Sequence, residues 1–588
     1  MSKAANCIQK INSWRKKFNV SFAVLALIIC SNNAIYASFG KYWDTGSDSM
    51  RIVIAITGDG YTINDQTQFS TDAIAVANKI LTTPPWNTYA NSINIYVIPM
   101  ISSQSGADKP WLNQYVNTVF DATYGTNGIQ ECLTVNFNTV TSVLSGSIPK
   151  YDVAIVIVND SLYGGSGHNA AVTSNNAAMT DIIIHELGHT FANLEEEYEG
   201  NPTSYIGPEP SNPNVTTITN PSSIKWKAWI DPNTPVPTPL ADIYSKSVGL
   251  FEGAFTYSLG IYRPMMNCGM RTMGVEFCPV CQEAHVMKAH TIAPLIDAIS
   301  PGEGTFTMPS PTTFEALGNG WQYLTKTWKL DNVQIGMGTY MIIHPGALAS
   351  PSSTLTLDVI DDTPQIKSYS LPSQQYQWTL VPDVESLNNI TELRESPTDI
   401  YCKVDGVVSA VFGDCFYVQN SNRTAAVRVN PYDGTFPTLG KTVTLCGKRD
   451  LNDFNLTIGD CYWSHHTGTP DPPKPLALNN KAVGGGDIGY MRGCADCTGL
   501  NNVGLLVRTF GQVRVIGPDG LWVTINDGSS RTDADGNQGI RVYGTSMDQY
   551  AGKYICVTGI CFIDESNPAT LSAAIRTRSS SDITESTP

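Results

Sequence analysis

The chain has 588 residues, of which 42% are hydrophobic and only 15% charged, with 49 Gly and 35 Pro. That length exceeds one ordinary domain and suggests roughly three to five; the composition excludes a disordered chain and favours turn-rich β structure. The 36 basic and 52 acidic side chains leave a net charge of −16. A field of that sign repels phosphate backbones and argues against a nucleic-acid partner.

The N-terminus reads as an address. Lys3, Lys10, Arg15, Lys16 and Lys17 precede an apolar run from Val20 to Cys30, about eleven residues where a membrane span needs about twenty. Ala37 then offers a small-residue cleavage point, so residues 1–37 are expected to be a signal peptide. A retained N-terminal anchor is the competing reading, and bulky Ile29 argues against a lipoprotein anchor at Cys30. The mature chain is expected to lack a transmembrane segment and to be secreted or periplasmic. Removal through Ala37 takes Cys7 and Cys30 from the 14 cysteines. The even number left suits disulfides in an oxidising compartment, without giving their pairing.

From about Met50 to Ala298 the pattern is mixed α/β. Arg51–Ile56 is a β-branched run ended by Gly58-Asp59-Gly60, and Asn64–Leu81 carries apolar residues at helical spacing until Pro84-Pro85. Ile93–Ile98 and Val153–Val158 read as interior strands. A helix is expected from Thr180, with Thr180 as its cap and Asp181 at its positive end. Beyond Pro301, short alternating runs such as Tyr340–Ile343 and Leu355–Val359 between Gly, Pro and Ser clusters predict a β-sandwich.

The last third restates itself. Val404–Ser409, Phe416–Gln419, Val427–Val429 and Gly440–Gly447 return in the same order as Thr509–Arg514, Leu521–Thr524, Ile540–Val542 and Gly552–Gly559. Two copies are too few for a solenoid, so two small β-barrels are expected, joined by the stiff Thr469–Pro475 stretch. Their motif order resembles OB-type barrels of secreted bacterial proteins.

The sharpest signal is His185-Glu186-Leu187-Gly188-His189. Residues four apart share a helix face, so both imidazoles can reach one ion, while Glu186 stands close enough to take a proton from water. Two satisfied surface histidines on an amphipathic helix are the plain alternative. A zinc peptidase site also needs a third protein ligand and one open position. Glu195, Glu196 and Glu197 follow directly, and the chain must turn near Ala192-Asn193 to bring one back, where Asn tolerates a left-handed stop. Cys268, Cys278 and Cys281, with His285 four residues on, have metal-site spacing, but in an exported protein a disulfide among the three is expected instead. The same holds for Cys494 and Cys497.

His185–Tyr198 resembles the signature of the IgA-peptidase family of zinc metallopeptidases. Gly58–Tyr61, Ser105–Asp108, Tyr163–Gly167, Asn267–Arg271 and Phe277–Ala284 follow the family's order. The resemblance covers about Met50 to Ile299. It implies a metzincin-like α/β (α+β) catalytic domain, one catalytic Zn2+ held by His185, His189 and Glu196, and Glu186 as general base. Met270 would form a Met-turn beneath the ion, and Tyr163, Gly164, Gly165 and Gly167 a substrate rim. Glu196 stands where the family has Asp, which leaves Glu195 and Glu197 open as third ligand.

The expected division is therefore a signal peptide at 1–37, a catalytic domain at 45–300 and an Ig-like β-sandwich at 301–385. An OB-like barrel at 395–466, a Pro-rich linker at 467–480 and a second barrel at 481–580 complete it. The expected partner is a protein or peptide substrate, with glycan or cell-envelope contact open to the C-terminal modules. The rival reading is a surface adhesion protein with a degenerate peptidase domain.

Overall fold

The computed structural model describes residues 40–318, 320–348, 351–452, 454–494, 497–565 and 570–587; the expected signal peptide lies outside them. The chain divides into two compact units. The first runs to Ile299 and takes in Ala316–Lys326 and Asp358–Gln375; the second holds the remainder.

The first unit is built on a six-stranded sheet. Its strands are β1 (Lys41–Trp43), β2 (Ile52–Asp59), β3 (Ile93–Ile98), β4 (Val153–Val158), β5 (Gly165–Gly167) and β6 (Ala171–Ser174), in the order β1-β3-β2-β4-β6-β5. β2 lies parallel to both β3 and β4, with Ile54 opposite Ile95 and Val153. Every residue of β2 and β4 is buried, which is why both read as continuous apolar runs rather than alternating ones. Helix α1 (Gln66–Thr82) joins β2 to β3, and α2 (Phe137–Ser147) precedes β4. Because the strand order reverses between these connections, right-handed crossovers put α1 and α2 on opposite faces. Val140 and Leu144 of α2 pack on Val53, Ala55, Ala154 and Val156. The expected helix at Asn64 begins two residues later. Thr62 and Asp65 form a capping box around a 3-10 turn at Ile63–Asp65, and the α-helix follows it.

Helix α3 (Met179–Ala192) packs against β5 and β6 and against α4 (Pro279–His290). A second small sheet, β7 (Glu199–Ser204), β8 (Phe251–Ala254) and β9 (Thr256–Arg263), has the order β7-β9-β8.

In the second unit, Phe314 meets Trp378 edge-on at 5.3 Å and Trp328 stacks on Trp378 at 5.8 Å. Its residues Ser353–Leu357 alternate buried and half-exposed, as a strand with one core face does. Each repeat then closes a barrel. In the first, Tyr401–Val411, Phe416–Gln419, Ala426–Pro431, Asn455–His465 and Thr442–Asn452 are neighbours in that order, and Thr442–Asn452 pairs back onto Tyr401–Val411. In the second, Leu506–Ile516, Trp522–Asn526, Ile540–Tyr543, Ser572–Arg576 and Tyr554–Asp564 repeat the circuit, closed by Leu506–Ile516 on Tyr554–Asp564. Gly406 and Gly511 hold matching places in the first strand of each copy, where a Cβ would strike the adjoining strand. The chain is multidomain and strand-rich. Among the described residues, no helix is long and apolar enough to cross a membrane.

Candidate metal centre

α3 delivers the HExxH residues, although it starts one residue before the expected cap. Ala178 is the N-cap residue, and its amide donates to Asn176 Oδ1 at 3.0 Å; Thr180 lies within the first turn. Asp181 stands in the first turn, as expected, and also pairs with Lys79 at 2.7 Å. The helix stops at Asn193, which takes the left-handed conformation (φ 53°), and Leu194 N–H closes onto Gly188 O at 2.9 Å. From there the chain doubles back without regular structure, strapped on both sides. Glu195 N–H donates to Asn214 Oδ1 (2.8 Å), Phe255 N–H to Glu196 O (2.7 Å), and Glu197 N–H to Met270 O (2.9 Å).

This return brings His185, His189 and Glu196 together. The two Nε2 atoms are 3.3 Å apart, and each is 3.3 Å from a Glu196 carboxylate oxygen. His185 Nδ1 faces Gly269 O at 2.9 Å and His189 Nδ1 faces Leu194 O at 2.8 Å. A carbonyl has no hydrogen to give, so each Nδ1 carries the N–H and each Nε2 turns a lone pair inward. Three electron-pair donors so close repel one another unless a cation sits between them. Tetrahedral zinc with bonds of about 2.0–2.1 Å separates its ligands by about 3.3–3.4 Å, so these residues fit that ion.

With no ion between these groups a proton takes its place: burial pushes both imidazoles down, but the Glu196 carboxylate beside them outweighs it, and His189 rises to about 9. Burial pushes Glu196 up, and the two imidazoles overcome it, taking the carboxyl down to about 2. Glu186 is 8% exposed, and burial raises its carboxyl.

The other expected site residues surround these. The buried Met270 side chain lies under Gly188, where a Cβ would overlap its Sδ. Gly165 and Gly167 let β5 press on α3, since a Cβ on Gly167 would stand 2.8 Å from Glu186 Oε2. Gly165 also bonds to the 131–133 segment, donating to Glu131 O at 3.2 Å and accepting from Leu133 N–H at 3.3 Å. Gly164 packs on Tyr124, while Tyr163 is exposed. Glu195 accepts from the Glu196 amide at 3.0 Å and does not join the cluster. Asp59 of the Gly58–Tyr61 motif is structural: its carboxylate accepts from Phe120 N–H, Ala122 N–H and Thr118 Oγ, tying the loop to β2.

Two features were not read from the sequence. Burial and the nearby Glu196 carboxylate raise the Tyr198 phenol; the Tyr closing the signature is the available signal. The second concerns the cysteines. The disulfide expected among Cys268, Cys278 and Cys281 is not formed, and all twelve cysteines of the described residues, Cys494 and Cys497 included, are thiols. Cys268 Sγ lies 3.7 Å from Cys281 Sγ, against about 2.05 Å for a bond. Cys281 instead donates to Glu197 Oε1 at 3.1 Å. His285 stays apart, its ring among Phe277, Trp86 and Phe191.

The IgA Peptidase M64 family matches residues 41–246 and 240–288. Over this segment the chain belongs to the IgA-peptidase family. The family match and the clustered side chains both fall in the first unit of the chain. Comparison with the curated proteins finds no match. Among solved structures, SGBP-B of the Bacteroides ovatus mixed-linkage glucan utilization locus, in complex with a mixed-linkage heptasaccharide, is 12% identical over 49% of this chain and 69% of its own, with a TM-score of 0.14. A quinonprotein alcohol dehydrogenase-like protein of Bacteroides thetaiotaomicron is 12% identical over 47% and 70%, with a TM-score of 0.13. At those scores neither likeness bears on the fold or the function of this chain.

Proposed function

We propose that the protein is an exported zinc-dependent metalloendopeptidase with a metzincin-like catalytic domain, cutting internal peptide bonds of protein substrates. The observation that carries this reading is the 3.3 Å triangle of His185, His189 and Glu196 beside Glu186. Zinc held there supplies Lewis-acid chemistry, polarising a carbonyl and lowering the pKa of water toward about 7. His185 and His189 are its imidazole ligands, oriented through Gly269 O and Leu194 O, and Glu196 is its carboxylate ligand. Glu186 accepts the proton of the attacking water and returns it to the leaving amine; its raised carboxyl suits a group that must both take and give. Met270 forms an apolar floor. Tyr163 to Gly167 would form the substrate rim through the exposed Tyr163 side chain, since the outer edge at Gly165 is already bonded to the 131–133 segment.

The remainder of the chain supports a modular reading. An Ig-like sandwich at 301–385 is followed by two OB-like barrels at 395–466 and 481–580, around a linker at 467–480. The barrels' shared circuit of first, second, third, fifth and fourth strand supports the OB reading. Export rests on the basic and apolar pattern of residues 1–37.

The test is to incubate the purified chain with a denatured proteome and map cut sites by mass spectrometry, with and without a zinc chelator. Internal cuts that vanish with the chelator and return with zinc are expected. Absence of cleavage would favour the degenerate, adhesive alternative, and cleavage indifferent to chelation would overturn the zinc mechanism.

A further inference from the structure

We infer that Glu197, Cys268, Cys278 and Cys281 form a second metal site, a buried structural zinc site directly behind the catalytic one. One ligand atom from each of the four lies within 4.8 Å of the others, and all four residues are buried. Zinc–sulfur bonds of about 2.3 Å at tetrahedral angles separate two sulfurs by about 3.8 Å; Cys268 and Cys281 stand at 3.7 Å. The chemistry of the donors is selective. Thiolates favour soft or borderline ions such as zinc over calcium or magnesium.

Two observations point to a cation rather than a disulfide. Glu197 is 0% exposed. Its Oε1 is met by Asn214 Nδ2 at 3.0 Å and by Cys281, but Oε2 has no partner. A carboxylate sealed from water in that state is costly unless a positive ion completes it. The surroundings also suit thiolates. Cys278 N–H donates to Cys268 Sγ at 3.2 Å, and Cys278 and Cys281 occupy the N-cap and first turn of α4, where the helix end is positive. A disulfide could use only two of the three sulfurs, leaving the third beside an unbalanced carboxylate. Binding would release the thiol protons to solvent as the ion takes their place.

The site would brace the peptidase centre. Gly269, whose carbonyl holds His185, lies between ligand Cys268 and the floor residue Met270. Glu197 is bonded through its amide to Met270 O and adjoins Glu196. An ion here therefore fixes both the Met-turn and the third catalytic ligand from behind.

The experiment counts zinc per full chain and does not depend on activity. The wild-type protein is expected to hold two zinc ions, and a His185→Ala/His189→Ala variant one. That variant, reloaded with Co2+, is expected to show thiolate-to-cobalt charge-transfer absorption, which an imidazole–carboxylate site does not give. Non-reducing peptide mapping of the metal-loaded wild type should find Cys268, Cys278 and Cys281 as thiols. Cys278→Ser/Cys281→Ser is expected to lose one ion; if it fails to fold, the histidine variant still decides. The inference is overturned if the histidine variant holds no ion and gives no charge-transfer band, or if two of the three cysteines are disulfide-bonded in the loaded wild type. A wild type holding one ion that survives the histidine substitutions would uphold this site and sink the catalytic-zinc reading instead.

Discussion

Two clusters of ligand-type side chains meet at a single peptide bond, between Glu196 and Glu197, and they differ in what else they touch. The two side chains take different partners, Glu196 the histidines and Glu197 Asn214 and Cys281. Glu196 turns toward His185 and His189, and its side chain remains 19% exposed. Glu197 turns into the sulfur pocket and has no exposure at all. Both clusters can fill most of a tetrahedral shell. The difference is the vacancy: three donors facing solvent leave a position for substrate, and four sealed donors leave none. Access, rather than donor count, divides chemistry from bracing.

The largest effect that sharpens this contrast should come from Glu186, which touches only the open cluster. Glu186→Gln should lower kcat/KM by about 10²–10⁴-fold while leaving metal content unchanged, checked by peptide hydrolysis beside elemental analysis. If the variant keeps parental activity, the general-base role fails. Next comes the choice among the three glutamates. Glu196→Gln should cut activity by at least about 100-fold and empty the open cluster, since loss of a ligand exceeds the 10–100-fold cost of disturbing its support. Glu195→Gln, whose carboxylate only caps the Glu196 amide, should stay within about threefold, below the cost of a supporting contact. Equal losses from both would dissolve the distinction between ligand and neighbour.

Much of the open cluster was legible because helical geometry is local. His185 and His189 need only α3 to share a face, and Asn193 announces the turn that returns Glu196. The strands β3 and β4 fall on the runs Ile93–Ile98 and Val153–Val158, since a buried parallel strand shows an unbroken apolar stretch. The sealed cluster was not legible. Its four ligands come from three segments, the strap at 197, the loop at 268 and the start of α4, and tertiary packing alone decides whether such cysteines meet as a pair or around a centre. The helix starts before Thr180 for a similar reason: Thr180 has the right residue type for a cap, but Asn176 anchors the turn before it.

A third effect, smaller than the first two, concerns pH. In metal-stripped protein the open cluster holds a proton in place of an ion. His189 is raised from 6.5 to about 9, so its contribution to stability is complete below pH 6.5 and is lost as pH rises through about 9. Glu196 is depressed from 4.5 to about 2, so the same pair's contribution is present above pH 4.5 and lost as pH falls toward about 2. Stripped protein should therefore be favoured by this cluster between pH 4.5 and 6.5 and lose roughly 2–3 kcal/mol of stability by pH 9 to 10. Zinc-loaded protein should not show that loss, because the ion replaces the proton. Thermal melting of both forms across this range checks it, and parallel curves would mean the triangle does not share a proton.

The smallest effect tests the link between the clusters. Gly188 lies on α3 over Met270, and a Cβ there would overlap Met270 Sδ. Met270 is buried, so the thioether cannot swing into solvent and the turn beneath it must move. Overpacking of this kind costs about 1–3 kcal/mol, while replacing a helical Gly by Ala regains about 1 kcal/mol. Gly188→Ala should therefore change the melting temperature little. Its consequence should appear in metal affinity, because the same turn carries Gly269 O, which orients His185; loss of such support weakens zinc binding by about tenfold or more. Competition with a chromogenic chelator measures that change. Unaltered affinity in a folded Gly188→Ala protein would show that the turn behind the histidines moves without them, and that the two clusters, though joined at one peptide bond, are mechanically independent.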